Sequence, residues 1–207
     1  SNIQSKSFEL SLLFSIPATF GLILASHEIV NALFGYGSFS LKEIKMTADA
    51  LEFFGYGVPA FALIKILSNF YFARDNTKIP FYISFISMII NILISVTLFK
   101  KFGFIIIPIA TSISAWISVL IYFTMFKKDR ILFIENKTWT NIFKILISTF
   151  SMCFFLYFGL EYFEDKLEYS YEFKLIYLLI MIGLSAAIYL LITKIFGILK
   201  LESYKLK

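Results

Sequence analysis

The sequence predicts an all-α protein, a polytopic membrane helix bundle. Across 207 residues, 59% are hydrophobic and only 16% are charged, and the mean hydropathy is +0.81. Soluble domains carry a charged fraction of about a quarter, so a soluble chain of this length could not bury so much apolar surface. The single Cys153 excludes an internal disulfide framework, and the single His27 argues against a histidine-based metal site.

Six apolar stretches reach the length of about 20 residues that a helix needs to cross a bilayer. They cover residues 8–33, 47–73, 79–99, 104–126, 140–162 and 173–196. The connections between them are short and polar, which leaves no room for a soluble domain. The first stretch is too long for a cleaved signal peptide and is followed by five others.

Each of the first four spans carries small polar residues at helical spacing. In chain order these stripes are Ser11, Ser15 and Thr19; Lys65, Ser68 and Asn69; Ser84, Ser87, Asn91 and Ser95; and Thr111, Ser114 and Ser118. Spans five and six contain Ser148, Thr149, Ser151 and Ser185 without a comparable stripe. We therefore expect the last two spans to be peripheral and to face lipid.

Polar stripes inside a membrane either hydrogen-bond to a neighbouring helix or line water. For any single stripe, a bond between helices is the simpler explanation. Lys65 adds a cation to the second span, where an ammonium costs about 2.5–3.5 kcal/mol on insertion scales. Snorkelling towards the interface relieves part of that cost, but four stripes and a cation together favour a hydrophilic cavity. Breaks at Pro17, at Gly55–Pro59 and at Pro108 are typical of helices that bend.

The distribution of basic residues predicts that both ends of the chain are cytoplasmic. With six crossings, twelve cations fall on the side of the termini: Lys6, Arg74, Lys78, Lys127, Lys128, Arg130, Lys137, Lys144, Lys194, Lys200, Lys205 and Lys207. Six fall on the other side: Lys42, Lys45, Lys100, Lys101, Lys166 and Lys174. The net charge of +5 is therefore a sign of topology, and nucleic acid is not an expected partner.

The run TADALEFFGYGVPAFALIKILSNFYFARDNTKIPF, residues 47–81, resembles the signature region of the MurJ/MviN family, the lipid II flippases of the MOP superfamily. The matching positions are Thr47, Ala48, Leu51, Gly57, Pro59, Ala60, Phe61, Lys65, Leu67, Ala73, Arg74, Thr77, Lys78 and Pro80. The upstream segment also matches through Leu33, Phe34, Gly37 and Phe39. Asn76 departs from the pattern, because the family usually has an acidic residue there.

This resemblance implies that the chain is the C-terminal lobe, crossings nine to fourteen, of a fourteen-helix transporter of the bacterial cytoplasmic membrane. Its partners would be membrane lipid, the N-terminal lobe of the same protein and lipid II, the undecaprenyl-pyrophosphate-linked muropeptide. Alternating access would move that lipid from the inner to the outer leaflet, with its tail in a groove of the last two helices. Lys65, with Ser68, Asn69 and Arg74, would contact the pyrophosphate.

Asn91, Ser95 and Thr111 form a second candidate site, which resembles a cation site proposed in the family. Their oxygens suit a hard monovalent cation, although hydrogen bonding between helices is the simpler role for three neutral ligands. No cofactor other than such a cation is expected. No nucleophile–base or paired-carboxylate arrangement is present in one plausible site, so we do not expect an enzyme.

Two other readings stay open. A related MOP exporter of drugs or lipid-linked saccharides would share the architecture and the cavity. A membrane scaffold without transport activity would use the same polar stripes only to clamp helices together.

Overall fold

The computed structural model describes residues 2–129 and 135–198, and the helices in these ranges form a bundle. They are α1 (Asn2–Phe34), α2 (Leu41–Gly55), α3 (Val58–Phe72), α4 (Lys78–Phe102), α5 (Ile106–Asp129), α6 (Asn136–Tyr162), α7 (Glu164–Leu167) and α8 (Lys174–Ile195). A 3-10 turn, Gly103–Ile105, joins α4 to α5. Arg130, Lys200, Lys205 and Lys207, which entered the orientation count, lie outside the described residues.

Five segments of the described chain are long and apolar enough to cross a membrane. The third, Lys78–Asp129, has 52 residues and reverses direction at Gly103, whose φ of 66° favours glycine. Asn91 contacts Thr111 and Ser87 contacts Ser114, which is the pairing expected of an antiparallel hairpin. The segment therefore supplies two crossings. The predicted all-α membrane bundle is confirmed, and a count of six crossings fits it.

The predicted span 47–73 consists of two helices, because α2 ends at Gly55 and α3 begins at Val58. Pro59 lies in the first turn of α3, where its lack of an N–H costs little. Gly57 allows close approach of α5, since a Cβ there would lie 2.7 Å from Ser112 Oγ. The break in the second span is thus determined by its own sequence, through Gly57 and Pro59.

Donors from α5 satisfy two carbonyl groups at this break. Ser112 Oγ donates to the Phe53 carbonyl at 2.6 Å, and Trp116 Nε1 donates to the Tyr56 carbonyl at 2.9 Å. Carbonyls freed by a helix break are costly in a bilayer unless a neighbouring helix provides a donor. We infer that α5 stabilises the bent form of α2–α3.

Helix α1 is the centre of the bundle and packs against α2, α3, α6 and α8. The largest cluster of buried side chains joins α1 to α3, α5 and α6. Near the ends of α3 and α5, Tyr71 stacks on Phe126 with 4.8 Å between ring centroids. The Tyr71 hydroxyl also donates to an Asp129 carboxylate oxygen at 3.0 Å, so both dispersion and a hydrogen bond hold these ends together.

The connection between α6 and α8 folds over the turn between α1 and α2. Asn31 Nδ2 donates to the Leu167 carbonyl at 2.7 Å, and the Tyr169 hydroxyl donates to the Phe39 carbonyl at 3.1 Å. Lys174, which the orientation count placed on the side opposite the termini, is fully buried beneath this connection. The lysine serves as a hydrogen-bond donor inside the fold.

Candidate functional site

A polar groove runs between α3, α4 and α5. It consists of two hollows of about 620 and 380 Å³ that share Ile64, Ser84 and Tyr122. The first opens beside the loop of residues 74–78, and the second extends along the facing polar sides of α4 and α5. The polar side chains of the lining are Ser68, Thr77, Lys78, Tyr82, Ser84, Ser87, Asn91, Thr111, Ser114, Ser118 and Tyr122.

The four residues predicted to contact a pyrophosphate lie close together but differ in environment. Ser68 lines the groove, and its hydroxyl donates to the Lys65 carbonyl at 3.0 Å. Lys65 and Asn69 are exposed and stand beside the groove rather than in its lining. Arg74 is exposed and donates to the Phe70 carbonyl at 2.8 Å, so it caps the end of α3. Their contact with substrate stays a prediction.

The Lys65 ammonium, like the Asn69 amide, has no hydrogen-bond partner among the described residues. Lys65 shows no ion pair or side-chain hydrogen bond within residues 2–129 and 135–198. It follows the groove residue Phe61 by four positions and precedes Ser68 by three, so it shares their side of α3. A ligand in the groove or a neighbouring element outside this chain could reach it.

The second predicted site is organised around a hydrogen bond between helices. Asn91 Nδ2 donates to Thr111 Oγ1 at 3.0 Å, and Thr111 Oγ1 donates to the Ile107 carbonyl at 2.8 Å. Ser95 Oγ is buried and has no hydrogen-bond partner among the described residues. Asn91 and Thr111 therefore clamp α4 to α5, while Ser95 keeps an unused acceptor.

The polar stripe of α1 does not join the polar groove. Ser15 and Thr19 are buried, and their hydroxyls have no partner within the part of the chain that the structure describes. The lining comes from α3, α4, α5 and Thr77 before α4. Of the other three stripes, Lys65, Asn69 and Ser95 are not in the lining, so a hydrophilic cavity enclosed by the stripes stays a prediction.

An apolar groove of about 550 Å³ lies on the other side of α1, between α1, α6 and α8. Ser185 is the one small hydroxyl in its lining and is bonded to the Ile182 carbonyl of its own helix at 2.9 Å. The lining is Phe14, Pro17, Ala18, Gly21, Leu22, Ile29, Met152, Leu156, Ile182, Ser185, Ala186, Tyr189 and Leu190. Such a surface suits a hydrocarbon chain rather than a hydrated headgroup.

Helix α8 is attached to α1 by two polar residues, Tyr189 and Lys174. The sequence did not indicate this role for either residue. Pro17 cannot donate to the Leu13 carbonyl four residues earlier, and the Tyr189 hydroxyl donates to that carbonyl at 2.6 Å. Proline at position 17 signals a free carbonyl at position 13, but the sequence does not reveal which donor reaches it.

Lys174 makes the second attachment, at the other end of α8. Its Nζ donates to the Gly35 carbonyl at 2.7 Å and to the Tyr169 carbonyl at 2.8 Å, with Asn31 Oδ1 at 3.4 Å. The Tyr36 ring centroid lies 4.2 Å away, close enough for a cation–π contact. Carbonyl and aromatic partners replace the water that a buried ammonium loses.

Helices of membrane-spanning length, a broken second span and two grooves, one lined partly by polar side chains and one almost wholly apolar, indicate a multi-pass membrane protein. A family model described as lipid II flippase MurJ matches residues 1–180. The chain belongs to this family, and the resemblance is confirmed. It is accordingly a multi-pass protein of the bacterial inner membrane.

Individual relatives agree with this assignment. A probable lipid II flippase MurJ of Rickettsia prowazekii (strain Madrid E) is 34% identical over 181 residues, which cover 87% of this chain and 35% of the relative. A probable lipid II flippase MurJ of Buchnera aphidicola subsp. Schizaphis graminum (strain Sg) is 31% identical, over 90% of this chain and 36% of the relative. The chain therefore spans little more than a third of the length of these relatives.

A solved structure has the same fold. The structure titled lipid II flippase MurJ, inward closed conformation, matches with a TM-score of 0.77 and 26% identity. The match covers 93% of this chain and 38% of that one. The helix arrangement described above is thus that of part of a MurJ protein.

Proposed function

We propose that the polypeptide carrying this chain is a flippase that moves lipid II from the inner to the outer leaflet by alternating access. This chain would form its C-terminal lobe, with both termini of the segment in the cytoplasm. Family membership supports the activity. The excess of basic residues on one side supports the orientation.

The observation that carries this proposal is the presence of an apolar groove in the same lobe as a polar groove. Lipid II combines a long hydrocarbon tail with an anionic, sugar-bearing headgroup, and no single surface suits both parts. The groove between α1, α6 and α8 is apolar and flanked by membrane-spanning helices, so the undecaprenyl tail fits it by chemistry. The headgroup belongs on the polar side of α3.

On that polar side, Lys65 is the residue we propose to contact the pyrophosphate, with Ser68, Asn69 and Arg74 around it. An unpaired ammonium within a span is expensive, and an anionic ligand would offset this cost. Asn91, Ser95 and Thr111 are proposed as the place of a monovalent cation, supported by the unpartnered buried Ser95 hydroxyl. The Asn91–Thr111 bond supports the scaffold reading for this pair instead.

Replacement of a conditional genomic flippase by the full-length protein tests the activity. We expect restored growth and restored lipid II externalisation. Normal expression without either would contradict the proposal and would favour an exporter of another substrate or a scaffold.

Two lysines provide a matched comparison within the same assay. Lys65→Ala should weaken transport more than Lys78→Ala does, because Lys78 lies at the exposed loop end of the polar groove. Equal rescue by both variants would remove Lys65 from the site.

Water accessibility distinguishes a cavity from a clamp. Cysteines placed at Lys65, Asn91 and Thr111 should react with a membrane-impermeant thiol reagent if the polar side of the lobe is wet. Uniform protection of all three would support the scaffold reading.

A further inference from the structure

The two attachments of α8 to α1 differ in their position relative to the apolar groove: Tyr189 is part of its lining, whereas Lys174 lies eight residues before Ile182, the first α8 residue of the lining. Lys174 binds the Gly35 carbonyl beyond the end of α1, and Tyr189 binds the Leu13 carbonyl in its first half. The residues that α8 contributes to the groove lie between Ile182 and Leu190, so they surround the Tyr189 attachment. No acidic side chain takes part in either contact.

The lengths of helix between these attachments differ. The path from Leu13 to Gly35 on α1 is 22 residues, or about 33 Å at the helical rise, whereas Lys174 to Tyr189 on α8 is 15 residues, or about 22 Å. The lysine and tyrosine side chains cover part of this difference. Helix α1 is also irregular over this length: Pro17 removes one of its hydrogen bonds, and Ala25 has non-helical angles of φ −114° and ψ 16°.

We propose that Lys174 and Tyr189 are positioning residues that hold α8 at two points on the bent α1 and so fix the width of the apolar groove. This inference rests on the proposed function for the identity of the occupant, a polyprenyl tail. The geometry of the groove is independent of it. Neither residue contacts the tail through its polar atom, because both polar atoms are already bonded to α1 or to the connection before α8.

The test uses the full-length protein in lipid nanodiscs. Tyr189→Phe and Lys174→Met each remove one attachment while keeping most of the side-chain volume. Tyr177→Phe and Lys194→Met are matched controls on the same helix, because no hydrogen bond of either polar group occurs among the described residues.

The first readout needs no substrate. Spin labels on cysteines at Ala18 and Ala186, on the α1 and α8 walls of the groove, report its width through their dipolar coupling. We expect a broader distance distribution in Tyr189→Phe and Lys174→Met, and an unchanged one in both controls. An unchanged distribution in Tyr189→Phe overturns the inference, and this variant alone decides if Lys174→Met does not fold.

The second readout is photolabelling by a polyprenyl phosphate that carries a diazirine in its tail. In the wild type we expect labelling of the α8 peptide around Ile182–Leu190, and in Tyr189→Phe about a threefold loss, the equivalent of one average hydrogen bond between membrane helices. If the wild-type protein is not photolabelled but the distance distribution broadens in Tyr189→Phe, the groove does not bind the polyprenyl tail. The positioning role of the two attachments would still be supported. Unaltered labelling in a broadened groove would overturn their positioning role.

Pro17→Ala tests whether Tyr189 positions α8 or only provides a hydrogen bond to the Leu13 carbonyl. Alanine restores an N–H donor for the Leu13 carbonyl, so the loss of thermal stability caused by Tyr189→Phe should shrink in the Pro17→Ala background. The broad distance distribution should remain, because α8 is still detached. Recovery of both stability and groove width in the double variant would overturn the inference.

Discussion

The break between α2 and α3 is predicted to depend on two donors from α5. Ser112→Ala removes the bond to the Phe53 carbonyl, and Trp116→Phe removes the bond to the Tyr56 carbonyl while keeping an aromatic ring. Hydrogen bonds between membrane helices average about 0.6 kcal/mol and reach about 1.7 kcal/mol. The Ser112 bond is short and part-buried, so we place it in the upper half of that range and the more exposed Trp116 bond near the average.

Together the two substitutions should lower the free energy of unfolding by about 2 kcal/mol. Reversible unfolding of the full-length protein in mixed micelles measures the total, and hydrogen exchange of the Phe53–Phe61 amides should accelerate more than that of the rest of α3. Ser118→Ala is the matched control, because Ser118 is equally buried on α5 but bonds only to the Ser114 carbonyl of its own helix. A double variant as stable as Ser118→Ala, with unaltered exchange at the break, would refute the reasoning.

Two further predictions concern the α4–α5 hairpin and the aromatic stack. A double-mutant cycle of Asn91→Leu and Thr111→Val in unfolding assays should give a coupling energy of about 0.6 kcal/mol, and zero coupling would mean that their 3.0 Å contact is not a clamp. Phe126→Ala should destabilise the protein by about 3 kcal/mol, because the ring is fully buried and stacks on Tyr71. Phe150→Ala, at a position that is 74% exposed, should cost far less in the same assay, and equal losses would contradict the assigned core.

The sequence predicts the spans well because the thickness of the bilayer dictates their length. Apolar runs had to reach about 20 residues, and Gly103 with the adjacent Lys100 and Lys101 marks the turn between α4 and α5. The break of the second span was also predictable, since Gly57 and Pro59 disfavour a continuous helix. All of these features depend on residues that are close together in the sequence, so they can be predicted without knowledge of the fold.

Tertiary contacts decide what the sequence could not show. Lys174 stands at the start of the sixth predicted span, where the sequence does not show its partners, but the connection from Leu167 to Tyr169 covers it. Tyr189 is one of twelve tyrosines, and only the fold shows that its hydroxyl meets the carbonyl freed by Pro17. The stripe on α1 was expected in the polar cavity, yet periodicity gives the spacing of residues on a face and not the neighbour of that face.

The spacing of Ser112 and Trp116 has a consequence for how the lobe can move. They are four residues apart, about one helical turn, so both hydrogen bonds to the second span come from the same side of α5. A rotation of α5 about its long axis would break both hydrogen bonds in the same step. Helix α4 would rotate with α5, because Asn91 and Ser87 bond the two helices together. Rotation of the α4–α5 hairpin would therefore release or fix the break between α2 and α3.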